Sequence, residues 1–233
     1  MKKYLPWIIT IVVLGLFFGL FCRVTVVPDK KAEMTVNDKG EEVAVAEMTP
    51  AEKYCAENWD SKMLPVLTSE TTPIETVLEL AKTDLNAAGA KYGVRDNESS
   101  AWNFRVSGTN KVVDIFSPDK ATHTALMMDA QPYDGTADFE IQVSKILKTN
   151  TLRDSVGFLK LDDFENQVDF ANLTKAFNAR IQKDVISKVT AADLKGKEIK
   201  WVGPFSPDAT LSKIGSAEDV LVIPVAVPEV VGE

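Results

Sequence analysis

The spacing of apolar residues changes at Trp102, and this change limits what the chain can fold into more than any other feature. Before it, apolar positions recur every three to four residues, as on a helix; after it they alternate, as on a half-buried strand. "WNFRVSGTNKVVDIFSP" is a long alternating run interrupted by glycine. "THTALMMDA" follows, then a loop carrying Asp134-Gly135, then "ADFEIQVSKIL"; Asp-Gly between two such runs is a hairpin signal. From about Asp162 to Val189 the helical period returns, with Phe164, Val168, Ala171, Phe177, Ile181 and Val185 on one stripe. Two further strand patterns, "KEIKWVGPFSP" and "DVLVIPVAVPEV", close the chain. Three strands, a helix and two strands predict an α+β fold, an OB-fold-like five-stranded antiparallel barrel whose bent first strand pairs on both sides. An open antiparallel sheet crossed by one helix is the competing arrangement.

Ahead of that domain, which takes residues 99–233, the pattern predicts a helical lead-in over 49–98. Thr49-Pro50 opens its first helix, and Tyr54, Cys55, Trp59 and Met63 follow at helical spacing. A second helix begins at "TTPIETVLELAK", where Thr72, Pro73 and Glu75 read as a capping box, and runs with a break near "TDLNAAG" to about Tyr92. Residues 24–48, with the β-leaning "RVTVV" and the polar "NDKGEE", read as a stalk or marginal hairpin.

Residues 1–23 read as a transmembrane anchor. Tyr4 to Cys22 is a run of 19 residues without a charge. At about 1.5 Å per residue it approaches the roughly 30 Å of a bilayer's hydrocarbon core. Lys2 and Lys3 precede it, which predicts an N-terminus inside and the remaining chain outside the membrane. A secretory signal has a shorter apolar region followed closely by small residues. A lipoprotein signal ends in a small residue before the cysteine that takes the lipid, whereas bulky Phe21 precedes Cys22. An uncleaved anchor is therefore favoured over lipidation at Cys22. Cys55, the second of two cysteines, reads as a small buried apolar residue, and two cysteines with one histidine fall short of the four ligands of a structural zinc site. No cofactor is expected. A net charge of −8 argues against nucleic acid, whose phosphates need a clustered basic surface.

The candidate contact residues are few. Trp102 and Phe104 share one face of the first strand and offer rings on which a sugar stacks, with core packing the commoner use of such aromatics. Arg153-Asp154 could offer a polar ligand a forked donor and a carboxylate, with a structural loop pair between strand and helix the commoner use of such neighbours. Asn166 and Gln167 stand at the start of the long helix, where Asp162, Asp163 and Asn166 also read as caps. Asp129, Asp134 and Asp138 bracket a glycine-containing loop, but their spacing does not match a calcium-binding EF-hand and a hairpin turn is expected. His123 reads as a strand surface residue. No nucleophile, metal or phosphate constellation stands out, and a non-enzymatic role is expected.

"NTLRDSVGFLKLDDFENQVDFANLTKAFN", with "NWDSKMLPVL", "AGAKYGVRD" and "FRVSGTNKVVDI", resembles an uncharacterised bacterial family of predicted periplasmic lipoproteins (domain of unknown function 2291). The similarity runs from about Tyr54 to Val230, and the chain departs from the lipoprotein label at Phe21. Members are often encoded beside ABC transporters for sugars. The resemblance implies a bacterial cell envelope location, here an inner-membrane anchor with the domain in the periplasm. It also implies sugar ABC transporter components or other envelope proteins as partners, and it implies no catalytic residues.

Overall fold

The computed structural model describes residues 34–36, 42–44, 48–119, 122–164 and 166–232. The expected anchor at 1–23, and Cys22 with it, lies outside the described residues. Among the described residues, no helix is long and apolar enough to cross a membrane. The chain divides into two compact units, Met1–Glu47 and Met48–Glu233. In the first, β1 (Met34–Val36) pairs antiparallel with β2 (Glu42–Ala44), with Thr35 opposite Val43.

The second unit opens with α1 (Pro50–Asn58). The Thr49 hydroxyl accepts from the Glu52 amide and the Glu52 carboxylate accepts from the Thr49 amide at 2.7 Å, so two donors that a helix start leaves free are satisfied together. The helix then widens into one π turn, Trp59–Met63, before α2 (Leu64–Ser69). Pro65 lacks an amide hydrogen and its ring crowds the carbonyl four residues back, and the widening falls over those residues. Cys55, Trp59, Met63 and Leu67 recur at four-residue spacing and are all buried. The next segment corrects the expected capping box: Thr72–Pro73 is a short strand, β3, and α3 (Ile74–Ala81) starts without a side-chain cap. The Glu75 carboxylate instead accepts from buried Asn110. Asp84 caps α4 (Leu85–Tyr92), and β4 (Gly93–Val94) follows.

β5 (Asn103–Asp119) organises the sheet. One edge of its first half pairs with β8 (Glu198–Phe205), from Phe104 opposite Phe205 to Lys111 opposite Glu198. Its second half pairs on the opposite edge with β6 (His123–Asp129), through register shifts after Val112 and Phe116 that bend it. β3 and β4 cover the part of that edge that β6 does not reach. β6 continues antiparallel to β7 (Phe139–Gln142), and β7 runs parallel to β9 (Leu221–Val222). β10 (Glu229–Val230) pairs with β8, giving the order β10-β8-β5-β6-β7-β9.

The α+β class and the expected strand order are thus present, but the sheet does not close into a barrel. The physical reason lies in "DVLVIPVAVPEV", where Pro224 and Pro228 remove ladder donors and cut one expected strand into two short ones. Ile223 and Val225 still donate main-chain hydrogen bonds to Pro204 and Val202 of β8, at 2.8 and 3.0 Å. Between β7 and β8 lie α5 (Thr151–Asp154), α6 (Gln167–Asp184) and α7 (Ala191–Leu194). One core joins both regions, from Ala51 to Val225, and Phe177 of α6 packs on Trp59 with ring centroids 5.6 Å apart.

Candidate functional site

The site is built on a tryptophan with no free face. Asn86, Gly89 and Gly93 succeed one another at helical spacing along α4 and its end, and together they seat the Trp102 indole. The indole nitrogen donates to Asn86 Oδ1 at 3.1 Å, and a Cβ on Gly89 would come within 2.2 Å of the ring. The guanidinium of Arg95 covers the ring at 4.0 Å from its centroid. Arg95 is held in turn by its bond to the Glu98 carbonyl at 3.0 Å.

Arg153 is placed in the same manner. Arg105 donates to the Ser155 carbonyl at 3.0 Å and to Glu70, which ties the turn after α5 to the end of α2. Gly157 then turns the chain at φ +76°, a conformation that L side chains rarely adopt. Arg153 Nε donates to Asp154 Oδ1 at 2.7 Å, and the guanidinium carbon lies over Phe170 of α6, 3.9 Å from its ring centroid. Phe170 rests against Phe164, which meets Tyr54 edge-on, so the stack reaches α1.

Both arginines line one cleft of about 190 Å³, together with Asp96, Asp154, Lys160 and Ser206. Lys160 Nζ bonds Asp96 Oδ1 at 2.6 Å and holds that carboxyl below its ordinary pKa. Three cations thus face two carboxylates, in a protein that is acidic as a whole. Arg95 also lines a second, adjoining cleft of about 130 Å³ bounded by Trp102 and Asp208. Two guanidinium groups, each over an aromatic ring, with one ammonium and two tethered carboxylates, carry the donors that a small polar anion requires.

Of the residues singled out from sequence, the structure brings Arg153 and Asp154 to the cleft and sets Trp102 behind it. Phe104 is fully buried and stacks on Phe205 at 4.9 Å, so it offers no surface to a ligand, and Trp102 has one face on α4 and the other under Arg95. Asn166 caps α6, its Oδ1 accepting from Val168 and Asp169, while Gln167 is exposed beside it; neither lines the cleft. Buried Asp129 accepts from the Gly135 amide at 2.8 Å, and Asp138 accepts from Ala130 and pairs with Lys82, so these carboxylates secure the turn. Among the described residues no group of three side chains is arranged to hold a metal ion. His123 is half-buried on β6, 3.4 Å from the buried Glu140 carboxylate. Sequence reasoning does not single out Arg95, Lys160 or Phe170: the first two sit in loops where a lone charge is no signal. Phe170 carries one available signal, an aromatic set off the expected stripe of its helix.

The family described as predicted periplasmic lipoprotein (DUF2291) matches residues 13–228. A solved structure, an OB-fold protein from Thermotoga maritima MSB8, superposes with a TM-score of 0.59 at 16% identity, covering 79% of this chain and 99% of that one. At that identity the likeness shows the fold. No curated protein sequence matches the chain.

Proposed function

From the premise that this chain belongs to the family of predicted periplasmic lipoproteins (DUF2291), we propose that it is a non-catalytic binding module of the cell envelope, accessory to a sugar ABC transport system. In this reading the N-terminal apolar segment holds the chain at the inner membrane and the domain works in the periplasm. Lys2 and Lys3, ahead of the uncharged run, support that orientation. The observation that carries the binding role is the cleft itself. Two arginines, each fixed by an aromatic ring and a hydrogen bond, converge on a space where both carboxylates are already engaged by cations. Side chains tied in this way suit recognition, because their rotamers are set before a ligand arrives.

The test is crosslinking in native membranes followed by purification of the chain. Enrichment of a transporter subunit or a periplasmic solute-binding protein is expected, and recovery of neither would overturn the transport link. A second reading, a structural protein docked on other membrane-anchored components, draws on exposed Phe158, Leu161 and Val168, apolar side chains of the segment that forms the cleft and the start of α6. Crosslinks that map to these residues and lead to an envelope scaffold protein would favour it.

A further inference from the structure

We propose that the Arg95–Arg153–Lys160 cleft is a carboxylate site that takes a small polyhydroxylated monoacid, of the sugar-acid class, with Arg153 as its fork. The inference deepens the binding role above and rests on it for the identity of the site.

Arg153 is the strongest element. Its side chain is 11% exposed, its Nε is spent on Asp154 and its face lies on Phe170. Among the described residues neither terminal nitrogen has a hydrogen-bond acceptor. The stem is buried while the two terminal nitrogens reach the cleft, where water or a ligand supplies their acceptors. With Nε occupied and the plane fixed, the guanidinium presents its two terminal N–H groups end-on. That pair matches the two oxygens of a planar carboxylate.

Charge and size narrow the class. Arg95, Arg153 and Lys160 face Asp96 and Asp154, so one further negative charge makes the cleft neutral and a second would be in excess. A monoanion fits that balance better than a phosphate dianion. The volume of about 190 Å³ lies below the roughly 300–1,000 Å³ of sites for drug-sized ligands, which points to one small molecule and not a chain of sugars. The second oxygen of Asp154 has no donor among the described residues, and it accepts a ligand hydroxyl beside the bound carboxylate.

The experiment is titration calorimetry on the full chain in detergent micelles, with D-galacturonate, D-galactose, acetate and inorganic phosphate as probes. Saturable binding of galacturonate is expected, with galactose and acetate each weaker by roughly tenfold or more, since each lacks one half of the recognition. Arg153→Lys keeps charge and stem but loses the fork, and should weaken galacturonate by about tenfold, whereas Lys183→Ala on exposed α6 surface should leave it unchanged. Absence of galacturonate binding overturns the proposal, as does Arg153→Lys binding like the parent chain. Acetate binding as tightly as galacturonate overturns the sugar-acid assignment, and phosphate binding as tightly overturns the monoanion argument. The two readings fail separately: a transporter subunit can co-purify whether or not galacturonate binds, and galacturonate can bind a chain that no transporter subunit accompanies.

Discussion

Cutting Phe177 to alanine removes the ring that joins α6 to the N-terminal helices. Phe177 is fully buried, its ring 5.6 Å from Trp59 and tilted 49° to it, with Leu173 and Ile181 buried one turn to either side. Burial of such a side chain contributes about 1.5–3 kcal/mol by transfer from water. The aromatic pair adds about 0.5–1.5 kcal/mol, and a cavity between two helices held elsewhere by the sheet cannot fully collapse. The expected loss is about 4 kcal/mol, within the usual range of about 3–5 kcal/mol for Phe→Ala in a core. For a domain of this size each kcal/mol moves the midpoint by roughly 2–4 °C, so thermal unfolding followed by circular dichroism should fall by about 8–16 °C. Val168→Ala is the sharper control. The expected sequence stripe puts Val168 in the core, but it is 67% exposed, so the structure predicts a change within about 0.5 kcal/mol. A Phe177→Ala chain with unchanged melting, or a Val168→Ala chain destabilised as much, would refute this account of the packing.

Three other outcomes follow from the same geometry. Gly89→Ala should destabilise by about 1–3 kcal/mol, read by urea unfolding, because the new methyl meets the Trp102 ring, and it should also weaken any ligand held by Arg95. Burial pushes the Cys55 thiol up to about 11, so mass-mapped alkylation near pH 8 should spare it in the folded chain and reach it in denaturant. The linked stability is fully present below the thiol's ordinary value and declines as pH rises from there towards about 11, since the unfolded chain ionises first. Intact mass of membrane-extracted protein should match the unprocessed chain, whereas a mature form beginning at an acylated Cys22 would refute the uncleaved anchor and realise the attachment that the family's description names.

Strand and helix order were legible because one buried face imposes a period, and the period survives in the sequence. What the period could not show was where pairing stops. "ADFEIQVSKIL" keeps alternating to Leu147, but the ladder ends at Gln142, and Ser144 bonds back to the main chain of Thr124. Likewise the stripe drawn from Phe164 misjudged the helix start: Asn166 caps α6, which leaves Val168 in the solvated first turn and begins the buried row at Leu173. At the cleft, the sequence offers Arg153 beside Asp154 but favours a structural loop pair, and it gives no sign of the other cleft cations. The covering of Trp102 by Arg95 and its seat on α4 depend on a tertiary approach that no local pattern encodes.

The two-edged pairing of β5 bears on how this chain must be put together when it is made and exported from its N-terminus. α1 to α4, with β3 and β4, emerge before the strand that receives them. Residues 103–107 then find partners on one edge at once from what has already appeared, and β6 takes up that edge from Lys111 after a short loop. The opposite edge waits for the chain to reach Glu198. Throughout that interval a bare row of amides and carbonyls faces the surrounding compartment, which is the state in which strands recruit foreign chains. The vulnerability of this protein is therefore temporal: it is greatest between the arrival of β5 and that of β8, and a stall in synthesis or translocation there would divert the chain into aggregates without altering one contact of the finished fold.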